Sequence, residues 1–401
     1  MSVSKSPCNS GNPSRPRVAP HIQCVPKSGI RKFFDLVSTM RGVISLGIGE
    51  PDFVTPWRIR EAMLYSLQKG YTHYTSNLGD KRLREAICQH FQQRYGGEYR
   101  PENQCLVTVG VSEGLDLAVR AVVCPGDEVL YHEPCYVSYG PTVAMAHGVP
   151  VSVRTRAEHD FVVQVEDLEK AVTPRTKVLM LNYPNNPTGA GMTWEDKQKV
   201  AEFAIRHDLL VFSDEIYEDL SYIPRSPSIA TLPGMAERTV VFNGFSKAYA
   251  MTGMRVAYAL GPQDIIDAMM KIHQYTILCA PTPCQFGAIE ALQGAEKERE
   301  AMRREYEQRR NVIVKGFNAM GLNCFMPRGA FYVFPCIAST GMGSTEFAER
   351  LLEEEHVAVV PGDAFGASGE GFVRCSYATG MKEIQEALAR IGHFVERHRK
   401  G

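Results

Sequence analysis

Between positions 106 and 260 the sequence alternates strand-length apolar runs with amphipathic helical stretches, and this alternation admits one broad architecture. The runs at 106–109, 128–131, 178–181, 209–212, 239–242 and 256–260 are rich in Val and Leu, as buried strands are. Between them lie patterns such as 195–207, where Lys and Arg punctuate a polar face. Strands separated by helices pair in parallel, because each connection must cross back over the sheet, and the helices then cover both faces. The expected class is α/β, with a large domain built on a mainly parallel central sheet and a smaller α+β domain. Ligands of such sheets bind at the carboxyl ends of the strands.

The last hundred or so positions differ in character. A charged stretch over 293–320, with many possible i,i+4 ion pairs, predicts one long helix that faces solvent as a connector. Strands at 331–334 and 372–376 and helices at 345–356 and 382–397 complete the smaller domain. The expected division is a flexible tail over 1–19, a small domain from 20–57 and 293–401, and a large domain over 58–292. Ile30, Phe33 and Phe34 are candidates to close over a pocket between them.

Composition removes several classes of function. With 44 Lys and Arg against 45 Asp and Glu, the net charge of -1 supplies no pull toward nucleic acid or anionic lipid. Gly, Pro or a charge interrupts every apolar run short of the roughly 18 residues a membrane span needs. Eleven Cys without C-x-x-C spacing read as reduced thiols of a cytoplasmic protein. No His spacing suggests a metal site, and His73 and His132 read as neighbours of a site instead of ligands.

Chemistry is expected where strand ends meet polar residues. In TVGVSEGLDLA a strand runs through Gly110 into a helix near Ser112, which is either an anion site or an ordinary Ser cap. In VFSDEIYEDL a buried-type strand ends in Asp214, with Tyr217 close behind; this acid either holds a cationic ring nitrogen or caps the next helix. In VVFNGFSKAYAMTGMR, Lys247 follows a strand and a glycine turn, flanked by Ser246 and Arg255. A Lys desolvated at a sheet edge is a nucleophile toward aldehydes, and Arg is suited to hold a phosphate with two bonds.

These segments together resemble the class I/II aminotransferases of fold type I, which depend on pyridoxal 5'-phosphate (PLP). SKAYAMTGMR is similar to the family's Schiff-base segment, and LGIGEPDF, YTHYTSNLGDKRLREA, VTVGVSEGLDLA, YHEPCYVSY, NYPNNPTG, FSDEIY and FVRCSY follow the family's signatures in chain order. The resemblance implies that Lys247 condenses with the PLP aldehyde and moves the proton, and that Asp214 partners the pyridinium nitrogen. It gives Tyr217 and Asn186 to the cofactor's phenolic oxygen, Tyr136 to the ring face, and Val111, Ser112, Ser246 and Arg255 to the phosphate. Gly49, Asn186 and Arg374 fall where the family binds the substrate α-carboxylate. Tyr74 corresponds to a residue reaching the neighbouring subunit's phosphate, so a homodimer with shared sites is implied.

The activity implied is transfer of the α-amino group of an L-amino acid to a 2-oxo acid such as 2-oxoglutarate by a ping-pong mechanism. The segment PKSGIRKFFDLVSTMRGVISLGIGEPDFVTPWRIREA, residues 26–62, is similar to the prokaryotic aromatic-amino-acid and aspartate branch, which favours aromatic or aspartate-like donors. A carbon-sulfur β-lyase on the same fold is the alternative, and a non-catalytic PLP-binding regulatory domain a remote one. Two positions depart from the pattern: Gly244 stands where many relatives have a phosphate-binding Ser, and Met254 where a Trp is frequent.

Overall fold

The computed structural model describes residues 17–23, 25, 40, 42–224 and 226–399. Most of the expected tail, and Ile30, Phe33 and Phe34, lie outside the described residues.

A seven-stranded sheet forms the centre, in the order β2 (Cys105–Thr108), β8 (Ala257–Leu260), β7 (Thr239–Gly244), β6 (Leu210–Asp214), β5 (Thr176–Asn182), β3 (Glu128–Glu133) and β4 (Val149–Arg154). Every pairing is parallel except those of β8, which runs against both its neighbours. The class is therefore α/β with a mainly parallel sheet, as expected. Central strand β7 is buried at every position, and so is β2 although it lies at one end of the sheet, which explains their continuous apolar runs. Strand β4 was not anticipated. It is an edge strand of sequence VPVSVR with exposed positions, and Pro150 belongs at an edge because it lacks a ladder donor.

Register sets the chemistry. Asn182 pairs with Asp214, and Asp214 with Phe242, so β5 and β6 end on polar residues at one level while β7 runs two residues further, to Gly244.

Beside this sheet, β11 (Val360–Pro361), β12 (Val373–Ser376) and β9 (Tyr332–Val333) form a three-stranded antiparallel sheet. Strand β1 (Ile44–Ser45) pairs in parallel with β10 (Val357–Ala358), tying the chain's early segment to its late one. Helices Glu296–Ala319, Ser344–Glu355 and Met381–His398 cover these strands around a core that includes Phe317, Phe347 and Phe394.

The expected connector helix needs correction. Helix Thr282–Gly294 stops, and a second helix, Glu296–Ala319, starts after Ala295. That second helix is not a solvent-facing strut: Met302, Tyr306, Ile313 and Phe317 are buried on one face. Arg299 is fully buried and donates to the Asp219 carbonyl at 3.0 Å. Its charged sequence masks an apolar stripe at helical spacing.

No helix among the described residues is long and apolar enough to cross a membrane.

Candidate active site

A cavity of about 680 Å³ opens at the carboxyl ends of β5, β6 and β7. Of the residues singled out from sequence, Gly49, Val111, Ser112, Tyr136, Asn186, Asp214, Tyr217, Ser246, Lys247, Arg255 and Arg374 all line it. Tyr74 does not: it is 79% exposed on the outer surface.

The floor of the cavity is acidic. Asp214 ends β6 almost fully buried, and burial pushes its pKa up to about 6. Two donors oppose that rise: the Tyr139 hydroxyl reaches Oδ2 at 2.8 Å, and the Ile216 N–H reaches Oδ1 at 3.2 Å. The capping alternative is thus partly met, since one carboxylate oxygen does serve the following turn. Asn182 fixes the backbone by donating from Nδ2 to the Asp214 carbonyl at 3.0 Å, while its Oδ1 accepts the Asn186 N–H at 3.0 Å. Behind them, burial lowers the pKa of His132 to about 4, and its neutral Nε2 accepts the Asn182 N–H at 3.0 Å.

Lys247 enters where β7 ends. Its Nζ donates to the Gly49 carbonyl at 2.7 Å, and burial, aided by Arg374 and Arg255, lowers its pKa to about 8. An amine so placed is half free base near pH 8, far below the ordinary lysine value, and the free base is what attack on a carbonyl carbon requires.

One end of the cavity is an anion cradle. Helix Val111–Val122 begins after Gly110, whose φ is +81°. A Cβ there would fall within 3 Å of the Arg255 guanidinium, so only glycine lets that side chain lie against the helix start. The cap is Gly110 and not Ser112, which corrects the Ser-cap reading and leaves Ser112 to the cavity. Glu113 turns away: Oε2 accepts the Val109 N–H at 2.5 Å and Oε1 meets His273 Nδ1 at 2.8 Å.

At the other end, Arg374 rises from β12, only 3% exposed. Nη1 donates to Asn186 Oδ1 at 3.0 Å and Nη2 to the Gly47 carbonyl at 2.6 Å. Its guanidinium lies between the rings of Tyr332, at 4.7 Å, and Phe365, at 4.9 Å. Nε is buried without a partner among the described residues, so the fork keeps an unspent donor. A Cβ on Gly49 would sit 2.8 Å from the Tyr332 hydroxyl, which explains a glycine at that wall.

Sequence reasoning missed Tyr332, Phe365, Tyr139 and Asn182. Tyr332 bonds the Tyr217 hydroxyl at 2.9 Å and lines the cavity, yet in the run AFYVF it reads as core. At Gly244 an added Cβ would meet Ala257 Cβ at 2.6 Å and Cα at 2.9 Å, so the missing serine reflects close strand packing.

The donor set fits PLP. A low-pKa amine suits its aldehyde, a buried carboxylate its ring nitrogen, Tyr136 its face, and a glycine-started helix with Ser246 and Arg255 its phosphate.

Comparison with known proteins agrees. The family model for aminotransferase class I and II matches residues 41–391. The chain is 52% identical over 377 residues to the putative aminotransferase YugH of Bacillus subtilis (strain 168), covering 94% of this chain and 98% of that protein. It is 45% identical to an aspartate aminotransferase of Pyrococcus abyssi, across 92% of this chain and 96% of that one. The crystal structure of an aromatic aminotransferase from Pyrococcus horikoshii OT3 superposes with a TM-score of 0.88 at 44% identity, covering 91% of this chain and 99% of that one. From cavity, fold and kinship together, the chain belongs to the class I and II aminotransferases, PLP-dependent enzymes of fold type I that transfer amino groups between amino acids and 2-oxo acids.

Proposed function

We propose that the enzyme transaminates aromatic or aspartate-like L-amino acids with 2-oxoglutarate as acceptor, by a ping-pong cycle centred on Lys247. The observation that carries this reading is a single cavity holding a low-pKa lysine amine, a buried carboxylate and a buried arginine fork. The names of the related aromatic and aspartate enzymes support the substrate class.

PLP, when bound, supplies an aldehyde carbon and a cationic ring that draws electrons away from the substrate α-carbon. Asp214 holds the ring nitrogen's charge, and Tyr217 with Asn186 donates to the phenolic oxygen. Val111, Ser112, Ser246 and Arg255 bind the phosphate, and Tyr136 covers the ring. Arg374, with Gly49 and Asn186, binds the α-carboxylate and so aligns the α-hydrogen toward Lys247. Nζ of Lys247, as a free amine, would take that proton and return it one carbon along. Two amino acids with two oxo acids then share one site in turn, which produces ping-pong kinetics.

Residues 58–292 form the PLP-binding domain in this reading, with 20–57 and 293–401 as the small domain. A homodimer completes each site through Tyr74. Supporting this, the exposed rings of Tyr71 and Tyr74 line one surface depression with His73 and Phe286. The Thr282 hydroxyl bonds the His73 carbonyl at 2.6 Å, drawing that region together. The nine described cysteines are free, which supports a cytoplasmic setting.

A panel of amino acids added to the PLP-loaded enzyme, followed by the absorbance change on amination of the cofactor, tests the substrate reading. Aromatic or acidic donors are expected to react fastest. Pyruvate and ammonia from cystathionine, without an oxo-acid acceptor, would assign a β-lyase instead.

A further inference from the structure

One polar group to which the sequence reading gave no role, the last residue of the YHEPCYVSY segment, reaches the acid of the cavity. Tyr139 opens the helix Tyr139–Met145, with its side chain 1% exposed. Its hydroxyl donates to Asp214 Oδ2 at 2.8 Å. Burial, with the charge of Asp214, pushes the pKa of Tyr139 far up, so the hydroxyl keeps its single proton and places it on that carboxylate. The same ring meets Tyr136 edge-on, with centroids 6.0 Å apart. One side chain therefore contacts both the proposed ring-nitrogen acid and the proposed stacking ring.

We propose that Tyr139 is a positioning residue, whose hydroxyl fixes the Asp214 carboxylate through Oδ2 as the acid that partners the PLP ring nitrogen. The proposal rests on the assignment of Asp214 to that nitrogen. The ionisable groups facing Asp214 are Tyr139, Glu215, Lys247 and Tyr217. Glu215 opposes the carboxylate charge and Lys247 favours it; Tyr139 is the side chain that bonds it directly. Without that hydroxyl, Oδ2 loses its protein donor in a buried site, and the acid takes up a proton more readily. A protonated acid cannot balance a pyridinium charge.

The test uses PLP-loaded wild type, Tyr139→Phe, Asp214→Asn and the double variant. Phe keeps the ring and removes one donor. The readouts are the pH titration of the cofactor's visible absorbance and the separate values of kcat and KM with one donor–acceptor pair. Tyr139→Phe is expected to displace the absorbance midpoint by about half a pH unit or more and to lower kcat about ten- to a hundredfold, with KM moved less than about threefold. In the Asp214→Asn background the same change is expected to alter kcat by no more than about twofold, since its target is gone. Equal losses in both backgrounds, or an unmoved midpoint, overturn the proposal. If Tyr139→Phe does not fold, 3-fluorotyrosine at 139 must displace the midpoint, and no displacement overturns it. Borohydride reduction of wild type separates the two layers. A Lys247 adduct together with additive variants rejects Tyr139 alone; no adduct rejects the reading of the site and this proposal with it.

Discussion

Removing the arginine fork should cost affinity for every substrate that carries an α-carboxylate and for no other. Arg374 already spends two donors on Asn186 Oδ1 and the Gly47 carbonyl, lies against the rings of Tyr332 and Phe365, and retains a buried Nε–H with no partner among the described residues. Arg374→Ala removes a paired, charge-assisted contact worth about 2–4 kcal/mol to a bound carboxylate, a loss of roughly 30- to 700-fold in kcat/KM. Arg374→Lys keeps the charge but not the planar fork, and should lose roughly tenfold. The assay is steady-state kinetics with tyrosine, aspartate and 2-oxoglutarate, beside single-turnover amination by tyramine, which has no carboxylate. Tyramine amination should be equally slow in wild type and variant, while the tyrosine rate constant at low concentration falls by the full factor. An unchanged KM across the carboxylates, or an equal loss for tyramine, would refute the assignment.

Three further perturbations follow from local geometry. Gly110→Ala forces a side chain onto a φ of +81° and against the Arg255 guanidinium; PLP retention measured by dialysis should fall at least about tenfold, and stability by about 1–3 kcal/mol. Gly244→Ser, intended to restore the family's extra phosphate donor, should instead lower stability by about 1–3 kcal/mol because the added Cβ meets Ala257, and a raised melting temperature would contradict that packing. The apo enzyme should take up PLP faster as pH rises through about 8, where Lys247 loses its proton. The sign on stability follows. The folded pKa of about 8 lies below the ordinary 10.5, so the folded state holds fewer protons between these values and this group's contribution grows with pH across that window. A pH-independent uptake rate would place the reactive amine elsewhere.

The readable parts of the sequence were those where burial and chemistry leave separate marks. Strands β5 to β7 are uninterrupted apolar runs that end in Asn182, Asp214 and Gly244, so strand and site could be told apart. Tyr332 and Phe365 resisted because an aromatic ring that flanks a guanidinium is written with the same letters as an aromatic ring in a core. Tyr139 resisted because its partner is 75 positions away and only the pairing of strands brings the two together. Edge strand β4 contains a proline and exposed positions, which weaken both period and propensity. In Glu296–Ala319 the charges, most of them outside the buried face that also holds Arg299 and Arg309, draw attention from the stripe through Met302, Tyr306 and Ile313. The Ser112 cap failed for a different reason: a helix can start on a glycine when a close approach, here of Arg255, leaves no room for a side chain.

The most direct measurement is chemical. Enzyme reconstituted with PLP, reduced with borohydride and digested should carry a pyridoxyl group on the peptide containing Lys247, and Lys247→Ala should carry none and show no turnover. An adduct on another lysine, a colourless wild type, or turnover that survives Lys247→Ala would contradict the account at its centre.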